Sequence, residues 1–379
     1  MATLPTGTIS FLDLQNYYGG TNPISLSEYY GETYQIPSSG TISLNTFRGK
    51  PGYYGDRMLG FSGSFAGGGD FTLTISTTGS AASYSNGMSL SIQSEYQGMK
   101  GASNATIALF TDHYRTGSST SGDTDDLDTG SDHIYWVSIS NPGTSHGYGG
   151  GGPTGLGPVL GYGASNGVSA LFGGGVFYVT GGYTYYTGYM HRCTISTTAS
   201  ATATGGVNDI SGYGSAGGNC PEGVLSDGTR GVWVGGTVDQ TSFTCKMTYQ
   251  TITSNSNAVL FGILGTDYGY GNTNRRTDNA CAEARERGLI AGGYTDNNRT
   301  NRIDYITIGT TSNSVNFGDL RYDNSSMGAG GNGNRCVFTG GTNVKTHCDY
   351  VNPFSTSNAT NFGSLPYSSV NPGHACGNI

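Results

Sequence analysis

A short apolar segment that ends in two glycines recurs along this chain, and this repeat limits the fold more than any other feature. Three close copies are residues 230–236 (RGVWVGG), 287–293 (RGLIAGG) and 335–341 (RCVFTGG). Three looser copies occupy residues 57–63, 105–111 and 169–175. Successive copies start 48 to 64 residues apart. Repeats of this length are structural units that bury their faces against neighbouring units, so the sequence predicts six packed units joined by loops of variable length.

Each unit has the pattern of a four-stranded β-sheet. In the fifth unit, the diglycine is followed by strand-like segments at 301–308 and 315–320, and then by a small-residue segment at 326–331. Four short strands in a repeat of about 50 residues are typical of a β-propeller blade. Strands of all blades crowd the central channel, so we expect the small-residue segment to be innermost. The sequence therefore predicts an all-β fold, namely a six-bladed β-propeller.

The two ends of the repeat region complement each other. The first unit begins at Arg57 without an innermost segment before it, and residues 369–379 form an innermost-type segment without a successor. We therefore expect the C-terminal strand to pair beside the strand that begins at Arg57 and to close the ring. A linear solenoid would instead need a polar cap at each end.

The repeat pattern resembles that of the kelch family over residues 55–379. The resemblance rests on the apolar-GG strand, on IDYITI at 303–308 and on FGDL at 317–320, with Phe or Tyr where kelch repeats often carry Trp. It implies a kelch-like propeller that spans residues 51–379. Glycine-rich repeats of this kind also resemble those of virion proteins of marine bacteriophages.

Residues 1–50 follow a different pattern. Segments 7–11, 22–26 and 40–44 each place Ser or Thr before a short run, which predicts N-capped helical turns. This region resembles the N-terminal module of bacteriophage tail and fibre proteins, and the resemblance implies virion attachment through residues 1–50. So short a segment cannot bury all its apolar side chains alone. The candidate attachment residues are Leu12, Leu14, Leu26, Tyr29 and Tyr30.

Charge and hydropathy exclude several kinds of partner. The chain has 25 acidic and 17 basic residues, a net charge of −8, and no basic stripe that could neutralise phosphates, so we expect no nucleic-acid binding. No apolar run approaches the roughly 18 residues that suggest a membrane span. The first ten residues lack the charged and apolar regions of a secretory signal, and we expect assembly in the host cytoplasm.

Cysteines occupy equivalent places in several repeats. Cys193, Cys245 and Cys348 fall in the strand after the diglycine, whereas Cys220, Cys281 and Cys376 fall in the innermost segment. Another strand separates these two strands in a blade, which puts them about 9–10 Å apart, too far for a disulfide. The pattern favours buried thiols over a disulfide framework. The six histidines show no metal-binding spacing, which favours surface or loop positions.

An acidic insert is the one candidate metal site. Asp126, Asp128 and Asp132 are spaced like the oxygen ligands of calcium loops, and Gly130 permits the turn between them. No Glu follows at the position of the usual bidentate ligand. The pattern therefore favours a solvated acidic loop over a Ca²⁺ site, and we expect no cofactor.

Tyrosine-rich inserts are the candidate binding site. In an antiparallel blade, the connection after the diglycine and the connection into the next innermost strand emerge on the same face, so the inserts at 112–132, 151–157, 176–189 and 265–275 should gather there. Aromatic rings among Gly, Thr and Asn suit sugar surfaces, although they also suit packing between blades or oligomer contacts. The candidate residues are Tyr178, Tyr183, Tyr185, Tyr186, Tyr189, Tyr268 and Tyr270.

These patterns favour a structural protein of a phage virion. We expect a tail or tail-fibre component that binds other tail proteins through residues 1–50, forms a homo-oligomer, and uses its propeller for binding a host-receptor glycan or another subunit. The alternative is a glycan-active hydrolase or oxidase on a propeller scaffold. We expect no enzymatic activity because the sequence lacks a sialidase-type SxDxGxTW motif, a metal motif and paired carboxylates at equivalent positions. A cellular kelch adaptor would carry a helical partner domain, which the pattern lacks.

Overall fold

The computed structural model describes most of the repeat region and three short pieces of the N-terminal region. The described residues are 10–12, 14, 25–26, 41–44, 57–61, 70–84, 101–104, 106–111, 134–139, 146–147, 162–173, 176–179, 183–186, 189–196, 202–206, 223–239, 242–265, 276–284, 286–295, 298–368 and 373–376.

The described elements of the repeat region are β-strands. In chain order they are β1 (Arg57–Phe61), β2 (Asp70–Thr74), β3 (Ala82–Tyr84), β4 (Gly101–Ser103), β5 (Ile107–Thr111), β6 (Ile134–Ser138), β7 (His146–Gly147), β8 (Tyr162–Ser165), β9 (Ser169–Gly173), β10 (Val176–Val179), β11 (Tyr183–Tyr186), β12 (Tyr189–Thr194), β13 (Thr202–Gly206), β14 (Val224–Ser226), β15 (Arg230–Val234), β16 (Thr237–Asp239), β17 (Ser242–Phe243), β18 (Lys246–Thr251), β19 (Val259–Ile263), β20 (Ala280–Ala284), β21 (Arg287–Ala291), β22 (Thr300–Thr307), β23 (Val315–Asn324), β24 (Gly328–Gly331), β25 (Cys336–Thr339), β26 (His347–Val351), β27 (Thr360–Ser364) and β28 (Gly373–Cys376).

The strands form an all-β propeller. Five blades are four-stranded antiparallel sheets whose strands follow the chain from one edge to the other: β4-β5-β6-β7, β8-β9-β12-β13, β14-β15-β18-β19, β20-β21-β22-β23 and β24-β25-β26-β27. Each blade is called here by its innermost strand. A further four-stranded sheet, the composite sheet, has the order β28-β1-β2-β3. Two separate hairpins, β10-β11 and β16-β17, are inserted within the β8 and β14 blades.

The apolar repeat segments are the second strands of these sheets. All six copies form strands, namely β1, β5, β9, β15, β21 and β25, and each lies between an innermost strand and the third strand of its sheet. Neighbouring sheets cover both faces of such a strand, which explains why these segments are continuously apolar. The repeat pattern therefore predicted the position of the second strand of each of these six sheets correctly.

Small residues line the inner end of most blades, as the sequence predicts, although β14 has the sequence VLS. β8 and β24 are buried along their whole length, and β24 consists only of Gly and Ala. The innermost strands lie side by side in the order β28, β4, β8, β14, β20, β24 and back to β28. Serine hydroxyls join three of them, because Ser165 Oγ donates to the Ser103 carbonyl (2.6 Å) and Ser226 Oγ donates to the Ser165 carbonyl (2.9 Å). Larger side chains would separate these backbones.

The hydrophobic core lies between adjacent sheets. Trp233 of β15 is buried against Leu171 and Met190 of the β8 blade, and its indole N–H donates to the Tyr162 carbonyl at 3.1 Å. Phe338 of β25 packs in the same way against Phe317 of the β20 blade. The aromatic residues therefore stabilise contacts between blades, where they bury the most apolar surface.

The diglycines contact the segment that leads into the next blade. Gly235 and Gly236 have φ angles of 58° and 102°, and the pairs at 292–293 and 340–341 repeat these values within about 10°. The Gly236 N–H donates to the Arg276 carbonyl (3.1 Å), and the Gly293 N–H donates to the Asn324 carbonyl (2.9 Å). A side chain at Gly235 would place its Cβ 2.6 Å from the Arg276 carbonyl oxygen, so the contact requires glycine.

At the opposite end of the blades, two arginines bind the following sheet. Arg287 Nη1 donates to the Pro353 carbonyl (3.1 Å), and Arg335 Nη1 donates to the Ile75 carbonyl (3.2 Å). The guanidinium group of each arginine also stacks on a tyrosine of its own blade, 4.4 Å from the ring centroid. In two of the three close repeat copies, the first arginine therefore packs within its own blade and hydrogen-bonds to the next sheet.

The C-terminal segment pairs with the first strand, as expected from the sequence. β28 runs antiparallel to β1, with Met58 opposite Cys376 and Gly60 opposite His374. The composite sheet contacts the β24 blade, because the Ala81 N–H donates to the Ser364 carbonyl (2.9 Å). It contacts the β4 blade through Arg57 Nη1, which donates to the Ile139 carbonyl (3.1 Å).

The N-terminal pieces contain helical turns. Residues 11, 12 and 14 are helical, and the Leu14 N–H donates to the Ser10 carbonyl at 3.2 Å. Leu26 and Leu44 lie in 3₁₀ conformation directly after serine. These turns follow the predicted capping residues, whereas the boundary of an attachment module at residue 50 stays a prediction. No helix among the described residues has the length and apolar character needed to cross a membrane.

Deletion of residues 370–379 should abolish cooperative folding. It removes β28, leaves the edge of β1 unpaired and opens the row of innermost strands. Thermal unfolding followed by circular dichroism should show a transition that is broadened and shifted down by more than 10 °C. Deletion of residues 377–379 alone is the control, since it leaves β28 intact. Equal melting of the longer deletion and the intact chain would contradict a closing role for β28.

Candidate binding face

The antiparallel topology gathers two kinds of connection at one end of the propeller. Second strands run toward this end and finish at the diglycines, and fourth strands run toward it before the chain enters the next blade. We call this end the diglycine face. It includes the connections at 174–188, 235–245, 292–299 and 340–346, which link second to third strands.

Two of these connections contain β-hairpins, and the first of them lies in an insert that the sequence analysis treated as a loop. β10 and β11 pair with Phe177 opposite Tyr185 and Val179 opposite Tyr183. β16 and β17 pair with Thr237 opposite Phe243. β11 of the β8 blade lies beside β16 of the β14 blade. The inserts of neighbouring blades therefore form a continuous surface across the blade boundary.

An aromatic contact extends this surface to the β20 blade. The rings of Phe243 and Tyr294 meet edge to face, with centroids 6.1 Å apart and an interplanar angle of 86°. Tyr294 is held by β-bridges to Thr277 on one side and to Arg299 on the other. Both rings are half-buried, so part of each remains open to solvent.

An exposed arginine continues the row toward the β24 blade. The Arg299 guanidinium lies over the Tyr294 ring, 5.8 Å from its centroid, and its Nε donates to Ser325 Oγ at 3.2 Å. Ser325 Oγ lies 3.4 Å from Thr342 Oγ1, in the connection after the third close diglycine. The diglycine face thus presents aromatic rings, hydroxyls and one exposed guanidinium in sequence across three blades.

A buried ion pair supports the diglycine face from below. Arg276 and Asp304 are each 1% exposed and are joined by a short salt bridge between Nη2 and Oδ2. Arg276 Nη1 also donates to the carbonyls of Gly292 (3.2 Å) and Arg302 (3.1 Å). The side chain therefore fixes the segment that leads into β20 against β21 and β22. The same carboxylate accepts a hydrogen bond from Arg302 Nε at 2.9 Å.

The β24 blade repeats this arrangement. An R-x-D-N motif occurs at 276–279 and again at 321–324, and each arginine pairs with an aspartate 28 residues later. Arg321 pairs with Asp349, which is mostly buried while the arginine is partly exposed. The ion pair is thus a structural feature of two consecutive blades.

Burial determines the electrostatics of the Arg276 site. Desolvation lowers the pKa of Arg276 from its ordinary value, and the negative charge of Asp304 opposes this shift. Because its Nη atoms already bind Asp304 and two carbonyls, this guanidinium is not placed to bind a ligand.

The predicted site residues are placed as follows. Tyr178 lies on β10, and Tyr183, Tyr185 and Tyr186 lie on β11, so four of the seven tyrosines are on the inserted hairpin of the β8 blade, while Tyr189 begins β12 directly after it. Tyr268 and Tyr270 lie outside the described residues, as do Asp126, Asp128 and Asp132. Within the described part of the chain, no three His, Cys, Asp or Glu side chains are grouped for metal binding.

The candidate attachment residues differ in exposure. Leu14 is fully buried, Leu12 is 59% exposed and Leu26 is half-buried. Tyr29 and Tyr30 fall outside the described residues. Phe11, which was not among the candidates, is 41% exposed beside Leu12.

The prediction of buried thiols is confirmed for four of the five cysteines that the structure describes in full. Cys193, Cys245, Cys336 and Cys348 are buried and form no disulfide, whereas Cys281 forms no disulfide but is only half-buried. Burial, with a smaller contribution from Asp349, raises the pKa of Cys348 to about 12, so this thiol stays protonated at neutral pH. Cys220 and the side chain of Cys376 lie outside the described residues.

The surface or loop prediction is wrong for one histidine. His191 lies in β12 between β9 and β13 and is 3% exposed. Burial lowers the pKa of His191 to about 4, so the imidazole is neutral at pH 7.

The sequence analysis missed two structural features that the sequence pattern indicates. Residues 176–186 read VFYVTGGYTYY, in which two β-prone runs flank a diglycine, and this pattern is typical of a hairpin. The repeated R-x-D-N motif with its distant aspartate indicated a shared structural role. The contact between Phe243 and Tyr294 had no such signal, because it joins two blades.

No protein-family model matches this chain, and a search of curated proteins found no significant match.

Replacement of Asp304 by asparagine should destabilise the fold by about 3–5 kcal/mol, because it leaves the buried charge of Arg276 without its partner. Urea unfolding monitored by tryptophan fluorescence would measure this change. Asp323→Asn is the matched control: Asp323 is exposed and its described hydrogen bond uses only the backbone carbonyl, so we expect a change within about 0.5 kcal/mol. Equal stability of Asp304→Asn and the control would contradict a structural role for the ion pair.

Proposed function

We propose that this protein is a structural component of a bacteriophage virion, most specifically of the tail or a tail fibre, that binds a host-receptor glycan or a neighbouring subunit through the diglycine face. In this function residues 1–50 attach the chain to other tail proteins, and the protein forms a homo-oligomer. The proposal combines the resemblance of the N-terminal segment and repeats to phage proteins with the organisation of this face.

The main support for the binding role is that the connections after the diglycines of neighbouring blades contact one another and form one surface. β11 lies beside β16, Phe243 contacts Tyr294, and Tyr294 lies under Arg299. Connections of this length are not needed to join antiparallel strands, since two to five residues suffice. Extra chain that packs against the insert of the next blade forms a shaped surface, and shaped loop surfaces on rigid scaffolds commonly bind ligands.

We include in the proposal a ring of six blades of kelch type, in which the composite sheet acts as the sixth blade. The pairing of β28 with β1 supports this proposal. It is also supported by the position of β28 between β24 and β4, and by the hydrogen bond from Arg335 Nη1 to the Ile75 carbonyl. A closed ring covers the faces of every blade with neighbouring blades and leaves only short, protected strand edges, which suits a particle protein exposed to the medium.

Replacement of Tyr185 and Tyr186 by alanine should weaken adsorption to host cells or subunit assembly roughly tenfold, because aromatic anchors at an interface typically contribute 1–2 kcal/mol or more. The melting temperature should change by less than about 2 °C, since the hairpin lies outside the blades. The matched control replaces both residues by phenylalanine, which keeps the rings. A large loss of stability with unaltered binding would show instead that these rings pack in the fold.

Attachment is tested in particles. Virions purified on a density gradient from producing cells should contain this chain by mass spectrometry, and a chain that begins at Gly52 should fold but be depleted from virions at least about tenfold. Circular dichroism of the shortened chain is the control for folding. Recovery of the intact chain only in the soluble cell fraction would refute the virion role, and normal incorporation of the shortened chain would refute attachment through residues 1–50.

A further inference from the structure

The diglycine face contains a guanidinium group whose terminal nitrogens are not used by the fold. Arg299 is exposed, and in the described part of the chain it makes one hydrogen bond, from Nε to Ser325 Oγ, and one stacking contact, with Tyr294. Its two Nη atoms therefore have no hydrogen-bond partner there. Most other arginines of the described residues bind groups of the protein itself: Arg276 and Arg321 pair with aspartates, and Arg287 and Arg335 bind carbonyls of the next sheet.

The local backbone holds this guanidinium in place. The Thr295 N–H and Oγ1 both bond to the Asn298 carbonyl, at 2.8 and 2.7 Å, and the Thr300 N–H donates to the Gly293 carbonyl at 3.1 Å. This tight turn fixes Tyr294 and Arg299 opposite each other as a β-bridge. A guanidinium fixed at Nε by a hydroxyl and on one face by a ring keeps its Nη edge available for a planar anion.

An aromatic platform lies directly beside this edge. The half-buried rings of Phe243 and Tyr294 meet edge to face, so they form a corner rather than a flat stack. Thr342, which contacts Ser325, and the exposed Asn298 add a hydroxyl and an amide nearby. Aromatic rings bordered by hydroxyl and amide groups suit the alternating apolar faces and hydroxyls of a sugar ring.

We propose that Phe243, Tyr294 and Arg299 form a subsite for an acidic polysaccharide, in which Arg299 binds the carboxylate of a uronic-acid-type residue in bidentate fashion and the two rings contact the sugar. This inference rests on the proposed function and specifies the ligand of the diglycine face. A saccharide is favoured over an acidic protein segment because the platform is small and formed by few rigid side chains. A protein partner would require an interface of about 800 Å² per side.

Binding of the full chain to three carboxylated polysaccharides, namely polygalacturonate, alginate and hyaluronate, tests the proposal by biolayer interferometry. Methyl-esterified pectin and dextran serve as uncharged probes. We expect binding to at least one carboxylated probe, at least tenfold weaker binding to the uncharged ones, and weakening at high ionic strength because the site is exposed.

Variants separate the subsite from general charge effects. Arg299→Gln should weaken binding of the carboxylated probe roughly 10- to 100-fold, the range expected for charged hydrogen bonds. Arg299→Lys should rescue only part of this loss because it keeps the charge without the bidentate geometry. Lys345→Gln, which removes an exposed cation from the next connection, is the matched control and should leave affinity within twofold.

Binding to none of the three carboxylated probes would overturn the proposal, and so would an equal loss of affinity in Arg299→Gln and Lys345→Gln. Loss of self-association in Arg299→Gln, measured by analytical ultracentrifugation with unchanged polysaccharide binding, would also overturn it in favour of a protein partner. Each result leaves the proposed virion function standing if the chain is still recovered in purified particles. Absence from particles would refute that function independently.

Discussion

The fold depends on the approach of the diglycine backbone to the segment that enters the next blade. At Gly235 a Cβ atom would lie 2.6 Å from the Arg276 carbonyl oxygen, and at Gly292 it would lie 2.6 Å from the Asn324 carbonyl oxygen. Both glycines also have positive φ angles, which L side chains adopt only with strain. Because these two diglycines touch the following lead-in segment, each fixes the position of its blade relative to the next. Propeller curvature thus depends on residues that have no side chain.

Two further contacts point in the same direction around the propeller. At the outer strands, Gly318 lies against the Ser357 carbonyl of the next blade, where a Cβ atom would come within 2.4 Å. At the end opposite the diglycines, Arg287 donates to the Pro353 carbonyl of the next blade. The serine hydroxyls and the Trp233 indole instead donate to carbonyls of the preceding blade, so the repeats carry groups that match both neighbours. This arrangement explains why the repeat is conspicuous in the sequence although no single blade is a complete unit.

The sequence predicted the parts of the fold that depend on local pattern. The apolar-GG segments predicted the second strands because a continuously apolar segment indicates burial on both faces. The C-terminal segment could be paired with β1 because the first unit lacked an innermost strand. The hairpin β10-β11 could have been predicted from its diglycine turn. The pairing of Arg276 with Asp304 was harder, since the residues are 28 positions apart and charged residues had been considered singly. Contacts such as Phe243 with Tyr294 depend on the angle between blades, which no local pattern encodes.

The connections after the diglycines are not constrained by these contacts between blades. They begin after the glycine that meets the next blade and end before the third strand, so their length alters neither the strand register nor the spacing between blades. The β24 blade spans this gap with seven residues, whereas the β8 blade uses the same point to build a hairpin. Substitutions and insertions can therefore accumulate there without cost to folding. In evolutionary terms, the propeller can be inherited unchanged while the shape and chemistry of its diglycine face diverge from one lineage to the next.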